Sequence, residues 1–143
     1  TRIKLGIQGK LTLGNLEASR DWGFAGDYTE GMWMMLQHKQ PDDWVLATGE
    51  THTVKEFAEK TFEKLDLNWE DYVEISEKYF RPNEVDYLLG DPTKASKELS
   101  WKPKTSFDEL IDMMIESDLI LGKREQVLLK EGLIEPTWES PIS

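Results

Sequence analysis

The feature that most constrains the fold is the run Trp44-Val45-Leu46-Ala47, an unbroken apolar tetrad fenced by Pro41-Asp42-Asp43 before it and Gly49 after it. So short a run between breakers predicts a strand buried on both faces, and such strands usually belong to parallel sheets covered by helices. Helical patterns flank it. Tyr28, Met32, Met35 and Leu36 recur at helical spacing up to about His38, behind Asp27-Tyr28-Thr29-Glu30, which resembles a capping box. Thr53 with Glu56 forms a second capping box, and Val54, Phe57, Ala58, Thr61, Phe62 and Leu65 mark one face of the next helix. Strand and helix signals therefore alternate, which predicts the α/β class.

The remaining strand signals are short. Leu11 and Leu13 alternate with polar neighbours before the Gly14-Asn15 turn, Tyr72 to Ile75 alternates likewise, and Leu88-Leu89 reads as a brief strand. Arg20-Asp21-Trp22-Gly23 reads as a loop, and Tyr79-Phe80-Arg81-Pro82 as an extended turn, because a residue before proline is pushed out of the helical region. Asp91-Pro92 opens a helix reaching Leu99, and Ser106 with Glu109 caps another that runs through Leu110, Met114 and Leu121. The tail from Glu131 reads as irregular. TRIKLGIQGK reads as the last turns of a helix ending near Gly6 or Gly9, which suggests a fragment or a split gene. So few strands cannot close a sheet, and the Trp44–Ala47 strand then needs partners from elsewhere.

Composition narrows the function classes. The formal charge of −11, from 28 acids against 17 bases, opposes binding to nucleic-acid backbone or an anionic membrane, so any bound phosphate must be gripped locally. The chain has no cysteine, hence no disulfide and no thiolate metal site, in keeping with a cytoplasmic setting. No apolar run reaches membrane-spanning length. No G-x-G-x-x-G or phosphate-loop lysine motif exists, and neither Tyr28, Tyr72, Tyr79 nor Tyr87 is followed four residues later by lysine. His38 and His52 lack a second histidine at ligand spacing, so no metal site is expected.

Arginine is the informative type. Only Arg2, Arg20, Arg81 and Arg124 occur, and Arg20 and Arg81 sit beside turn-forming residues. A guanidinium holds phosphate oxygens bidentately and keeps its charge at physiological pH. The alternative is plain ion pairing, of Arg20 with Asp21 or a helix acid and of Arg81 with Glu84. Trp22, Trp33, Trp44 and Trp101 read as packing residues, as do Met32, Met34 and Met35. His52 and Asp91 read as structural; Asp27, Glu30 and the acidic stretch from Glu74 to Glu77 read as solvated surface.

The stretches KLTLGNLEASRDWGFAGDYTEGMWMML, WVLATGETHTVKEF and YFRPNEVDYLLGDPTKASKELSWKPKTSFDELIDMMI resemble the GDP-mannose 4,6-dehydratase family of extended short-chain dehydrogenases/reductases. The resemblance runs from about Ile3 to Leu121. It implies a nucleotide-sugar-binding C-terminal region over residues 1–121, with 122–143 a partly irregular extension. The family is an NADP-dependent lyase that oxidises C4 of GDP-mannose, removes water across C5 and C6, and returns the hydride. Its cofactor site and catalytic Thr/Ser, Glu, Tyr and Lys lie in an N-terminal Rossmann region, so this chain is expected to bind no cofactor alone and to carry no catalytic residue. The resemblance implies that Arg20 and Arg81 contact the diphosphate of GDP-mannose or GDP, that Glu84 accepts from the ribose hydroxyls, and that Asn15 lies near the nucleotide. Ser19, Phe24 and the short WEDYVEIS segment depart from the family pattern. The expected partner is a missing Rossmann half, or failing that a second copy. A stand-alone nucleotide-sugar binding module and a non-binding structural remnant are the competing readings.

Overall fold

The computed structural model describes residues 1–136. Its N-terminal residues make one helical turn that stops where the glycine pattern predicts. The Gly6 amide donates to Ile3 O and the Ile7 amide to Arg2 O, the paired bonds of a Schellman stop, with Gly6 at φ +71°. The chain then enters β1 (Leu11–Leu13), which pairs in parallel with β4 (Val73–Ile75), Leu11 opposite Val73. Between them lie β2 (Ser19–Arg20) and β3 (His52–Thr53), an antiparallel pair.

Two helices provide the main apolar seam. In α2 (Val54–Lys64) the Thr53 hydroxyl accepts the Glu56 amide at 3.0 Å, while the Glu56 carboxylate bonds His52 Nδ1 at 3.0 Å. In α4 (Phe107–Lys130) the capping box is complete: Ser106 Oγ accepts the Glu109 amide and Glu109 Oε2 accepts the Ser106 amide at 2.8 Å. Phe57 meets Phe107 edge-on at 5.7 Å and Trp22 packs on both rings, as expected of that tryptophan. Ala58, Phe62, Leu65 and Ile111 are buried alongside. Lys60–Asp108 and Lys64–Asp112 bridge the two helices, but exposed pairs contribute at most about 1 kcal/mol each, so the apolar seam dominates. Ser106→Ala is expected to cost about 1 kcal/mol, read as a fall of about 3–5 °C in Tm.

Helix α4 runs to Lys130, beyond the Leu121 at which its apolar periodicity fades. Contacts with the N-terminal turn hold its second half. Arg2 forks onto Glu125 at 2.7 and 3.0 Å, and the Gln126 amide donates to Leu5 O at 2.7 Å. A Cβ on Gly122 would stand 2.7 Å from Leu5 Cδ1, so a larger residue there would make the Leu5 side chain shift.

Helix α1 (Ala25–Gln37) corrects several expectations. Its N-cap is Phe24, without a side-chain cap, so Asp27 and Glu30 form no capping box there. Asp27 is buried, not solvated: one carboxylate oxygen accepts the amides of Lys104 and Thr105, both at 2.9 Å. Its carbonyl accepts Trp101 Nε1 at 2.8 Å, and Trp101 is 1% exposed. Gly31 lets α1 lie against Leu46 and the Trp101 ring. The opposite face, with Met32, Trp33 and Leu36 at 57%, 61% and 82% exposure, is largely uncovered by the described residues, so Met32 and Trp33 are not core residues here.

The Trp44–Ala47 segment forms no ladder; Ala47 is buried but Val45 is 54% exposed. A strand needs a partner's N–H and C=O groups, and the two ladders among the described residues do not include this segment. The Leu88–Leu89 strand reduces to a single parallel bridge between Tyr87 and Ser19. Helix α3 (Thr93–Glu98) starts behind Asp91, whose Oδ1 accepts the Thr93 amide at 2.9 Å. After Lys130 the chain leaves the helix through a second Schellman stop at Gly132; residues 137–143 lie outside the described part, and with them the last of the tail expected to be irregular. The described residues thus contain only two two-stranded ladders with four helices, an α/β arrangement without a complete Rossmann sheet.

Candidate functional site

Residues 14–21 and 79–90 run side by side and bring the candidate residues onto one surface. At one end Gly14 closes on Tyr79: a Cβ there would sit 2.6 Å from the Tyr79 carbonyl oxygen, so no larger residue fits without a shift. In the middle the Ser19 amide donates to Asp86 O at 2.7 Å and the Leu88 amide to Ser19 O at 3.0 Å. Ser19, a departure from the family pattern, therefore contributes through its backbone.

Arg20 lies in β2 rather than in a loop. Its Nη1 donates to Ser19 O at 2.8 Å and to Val85 O at 2.6 Å, and its Nη2 pairs with Glu84 Oε1. The partner of Arg20 is thus Glu84, neither Asp21 nor a helix acid. Their side chains are 21% and 18% exposed, partly desolvated yet reachable from solvent, so their pairing is stronger than that of a fully exposed pair. Arg81 stands exposed on the same loop, three positions before Glu84. Asn15 turns its Oδ1 onto the Glu17 amide at 3.0 Å, an Asx turn that shapes the chain after Gly14. The structure therefore brings Arg20 and Glu84 into contact and sets Asn15 and Arg81 at the other end of the same pair of segments.

Asp21 was not among the expected site residues, yet it is the most heavily bonded carboxylate of this region. Oδ1 accepts the Thr48 amide at 2.8 Å and the Thr48 hydroxyl at 2.7 Å, and Oδ2 accepts the amides of Gly49 at 3.1 Å and Gly90 at 3.2 Å. Burial alone would raise its pKa, but donors from Thr48, Gly90 and Gly49 outweigh burial and hold the carboxyl below its ordinary value. The legible signal was Thr48-Gly49 after an apolar run, a turn whose amides need an acceptor; Gly49 takes φ +80°.

Next to Asp21 is a small polar hollow lined by Trp22, Thr48, Glu50, His52, Lys104 and Phe107, with the His52 ring stacked on Phe107 at 3.8 Å. No group of three or more His, Cys, Asp or Glu among the described residues could hold a metal ion, and no described helix is long and apolar enough to cross a membrane. A dinucleotide needs a glycine-rich turn between a parallel strand and a helix whose first amides are free. Here the starts of α2 and α4 are occupied by Thr53 and Ser106, and β3 is antiparallel to its partner. The starts of α2 and α4 therefore offer no such free amides.

The ladders and helices share the fold of part of larger solved chains. RMD from Pseudomonas aeruginosa, solved in complex with NADPH, matches with a TM-score of 0.71 at 18% identity, over 80% of this chain and 38% of that one. Sequence narrows the class further. Residues 1–114 match the family described as GDP-mannose 4,6 dehydratase. GDP-mannose 4,6 dehydratases 1 and 2 of Arabidopsis thaliana are 58% and 59% identical over 94% of this chain, which covers 37% and 36% of their lengths. The chain belongs to the GDP-mannose 4,6 dehydratase family and spans little more than a third of those relatives.

Proposed function

We propose that this chain is the part of a GDP-mannose 4,6-dehydratase-like lyase that holds the nucleotide sugar. In this reading Arg20 and Arg81 grip the diphosphate, Glu84 accepts from the ribose hydroxyls, and Asn15 borders the nucleotide. The observation that carries it is the contact of Arg20 with Glu84 across the two adjoining segments. Glu84 neutralises much of the Arg20 charge, so exposed Arg81 adds positive charge at the same site of an acidic chain. The two arginines then act differently, Arg20 as a fixed donor and Arg81 as an adaptable one.

The chemistry, with NADP, belongs in this reading to the remainder of a longer polypeptide, and the chain alone is inactive. Supporting this are the share of the relatives' length it covers, the exposed α1 face of Met32, Trp33 and Leu36, and the unladdered segment Trp44–Ala47. An apolar helix face beside an unpaired extended segment is what a sheet from the missing part would cover. The setting is cytoplasmic in the same reading.

Isothermal titration with GDP and GDP-mannose, with UDP as control, tests the proposal. Saturable binding of both GDP compounds is expected, and Arg20→Ala with Arg81→Ala should abolish it, since each charge-assisted bond contributes about 1.5–3 kcal/mol. Unchanged binding by the double variant would sink the assignment. So would the absence of binding both alone and with the N-terminal part of an Arabidopsis relative added.

A further inference from the structure

We infer that Asp21 is a positioning residue for the nucleotide-sugar site, tying the loop that carries Arg81 and Glu84 to the strand that carries Arg20. Three segments meet on its carboxylate: the end of β2, which Asp21 follows, the Thr48-Gly49 turn, and Gly90 at the end of the 79–90 loop. That loop is otherwise held to β2 by the Ser19 backbone and by Arg20, and Tyr79, Phe80, Val85, Tyr87, Leu88 and Leu89 are all exposed along it. A loop with so much exposed apolar surface and so few backbone anchors opens easily unless pinned at its end. Gly90 is that end. A Cβ there would lie 2.2 Å from Ala47 Cβ, so the backbone reaches Asp21 only because residue 90 is glycine.

The link to binding is preorganisation. A ligand that must first order 79–90 spends binding free energy on that ordering, whereas a pinned loop presents Glu84 and Arg81 already in place. The inference rests on the diphosphate reading above, and its test separates the two.

GDP titration and amide hydrogen exchange would be run on the wild type, Asp21→Asn and Asp21→Ala, at a temperature where circular dichroism shows all three folded. Asn keeps the volume but turns an NH2 toward amide donors. Both variants are expected to lose exchange protection at Leu88 and Gly90 and to bind GDP about tenfold or more weakly. Ser106→Ala, which alters neither segment nor any bond to Asp21, should leave the GDP Kd unchanged while lowering Tm. Unaltered protection at Leu88 and Gly90, unaltered GDP affinity in the folded Asp21 variants, or an equal loss in Ser106→Ala each overturns the positioning role. If the wild type binds no GDP either alone or with the N-terminal part of an Arabidopsis relative added, the diphosphate reading fails by itself, and loss of Gly90 protection in the variants still establishes the pin.

Discussion

Trp101→Ala is expected to lower stability by about 3–5 kcal/mol, a large part of what a domain this size possesses, and to shift the urea midpoint accordingly. The ring is 1% exposed and fills the space between α1 and the stretch following α3. Its removal opens a cavity against Gly31, which has no side chain to relax into it. The indole N–H bond to Asp27 O disappears as well. Trp101→Phe, which keeps most of the volume but no donor, should recover more than half of the loss. A midpoint for Trp101→Ala within about 1 kcal/mol of wild type would mean that α1 does not depend on this ring.

Asp27→Ala is the second large effect, expected at about 2–4 kcal/mol. The amides of Lys104 and Thr105 share its carboxylate, and each loses its acceptor in that variant. Asp27→Asn discriminates between charge and acceptor: an Asn oxygen in the same place still receives both amides, so it should retain most of the stability. If Asn proves as damaging as Ala, the negative charge in the first turn of α1 matters more than the acceptor.

Local chemistry made much of the frame legible. The Ser106–Glu109 capping box, the Thr53 cap, the Gly6 stop and the apolar face of α2 are written within a few residues of where they act. The same holds for β1 and β4, whose alternation survives in a parallel pair. Failures came where a partner was distant. Asp27 has the spacing of an N-cap, but two amides more than seventy residues later draw it inside. Trp33 and Met32 share the apolar pattern of α1, yet they are on the face that the described residues leave largely uncovered. Pattern alone says that a side chain is apolar, not which neighbour will bury it.

The candidate site divides in the same way. Arg20, Arg81, Glu84 and Asn15 could be singled out because turn chemistry, residue type and family motifs mark them in one dimension. That Arg20 and Glu84 form one element could not, because they are separated by 64 positions and meet only when residues 79–90 are laid along 14–21. For Asp21 the sequence signals only that the Thr48-Gly49 turn needs an acceptor, and packing decides which carboxylate meets it. By itself the sequence determined the α/β class, the helix limits set by caps and stops, and the exclusion of a glycine-rich nucleotide cradle. Only the tertiary structure decided which polar groups are buried together, since hydrogen-bond partners far apart in the chain are chosen by packing and not by local propensity.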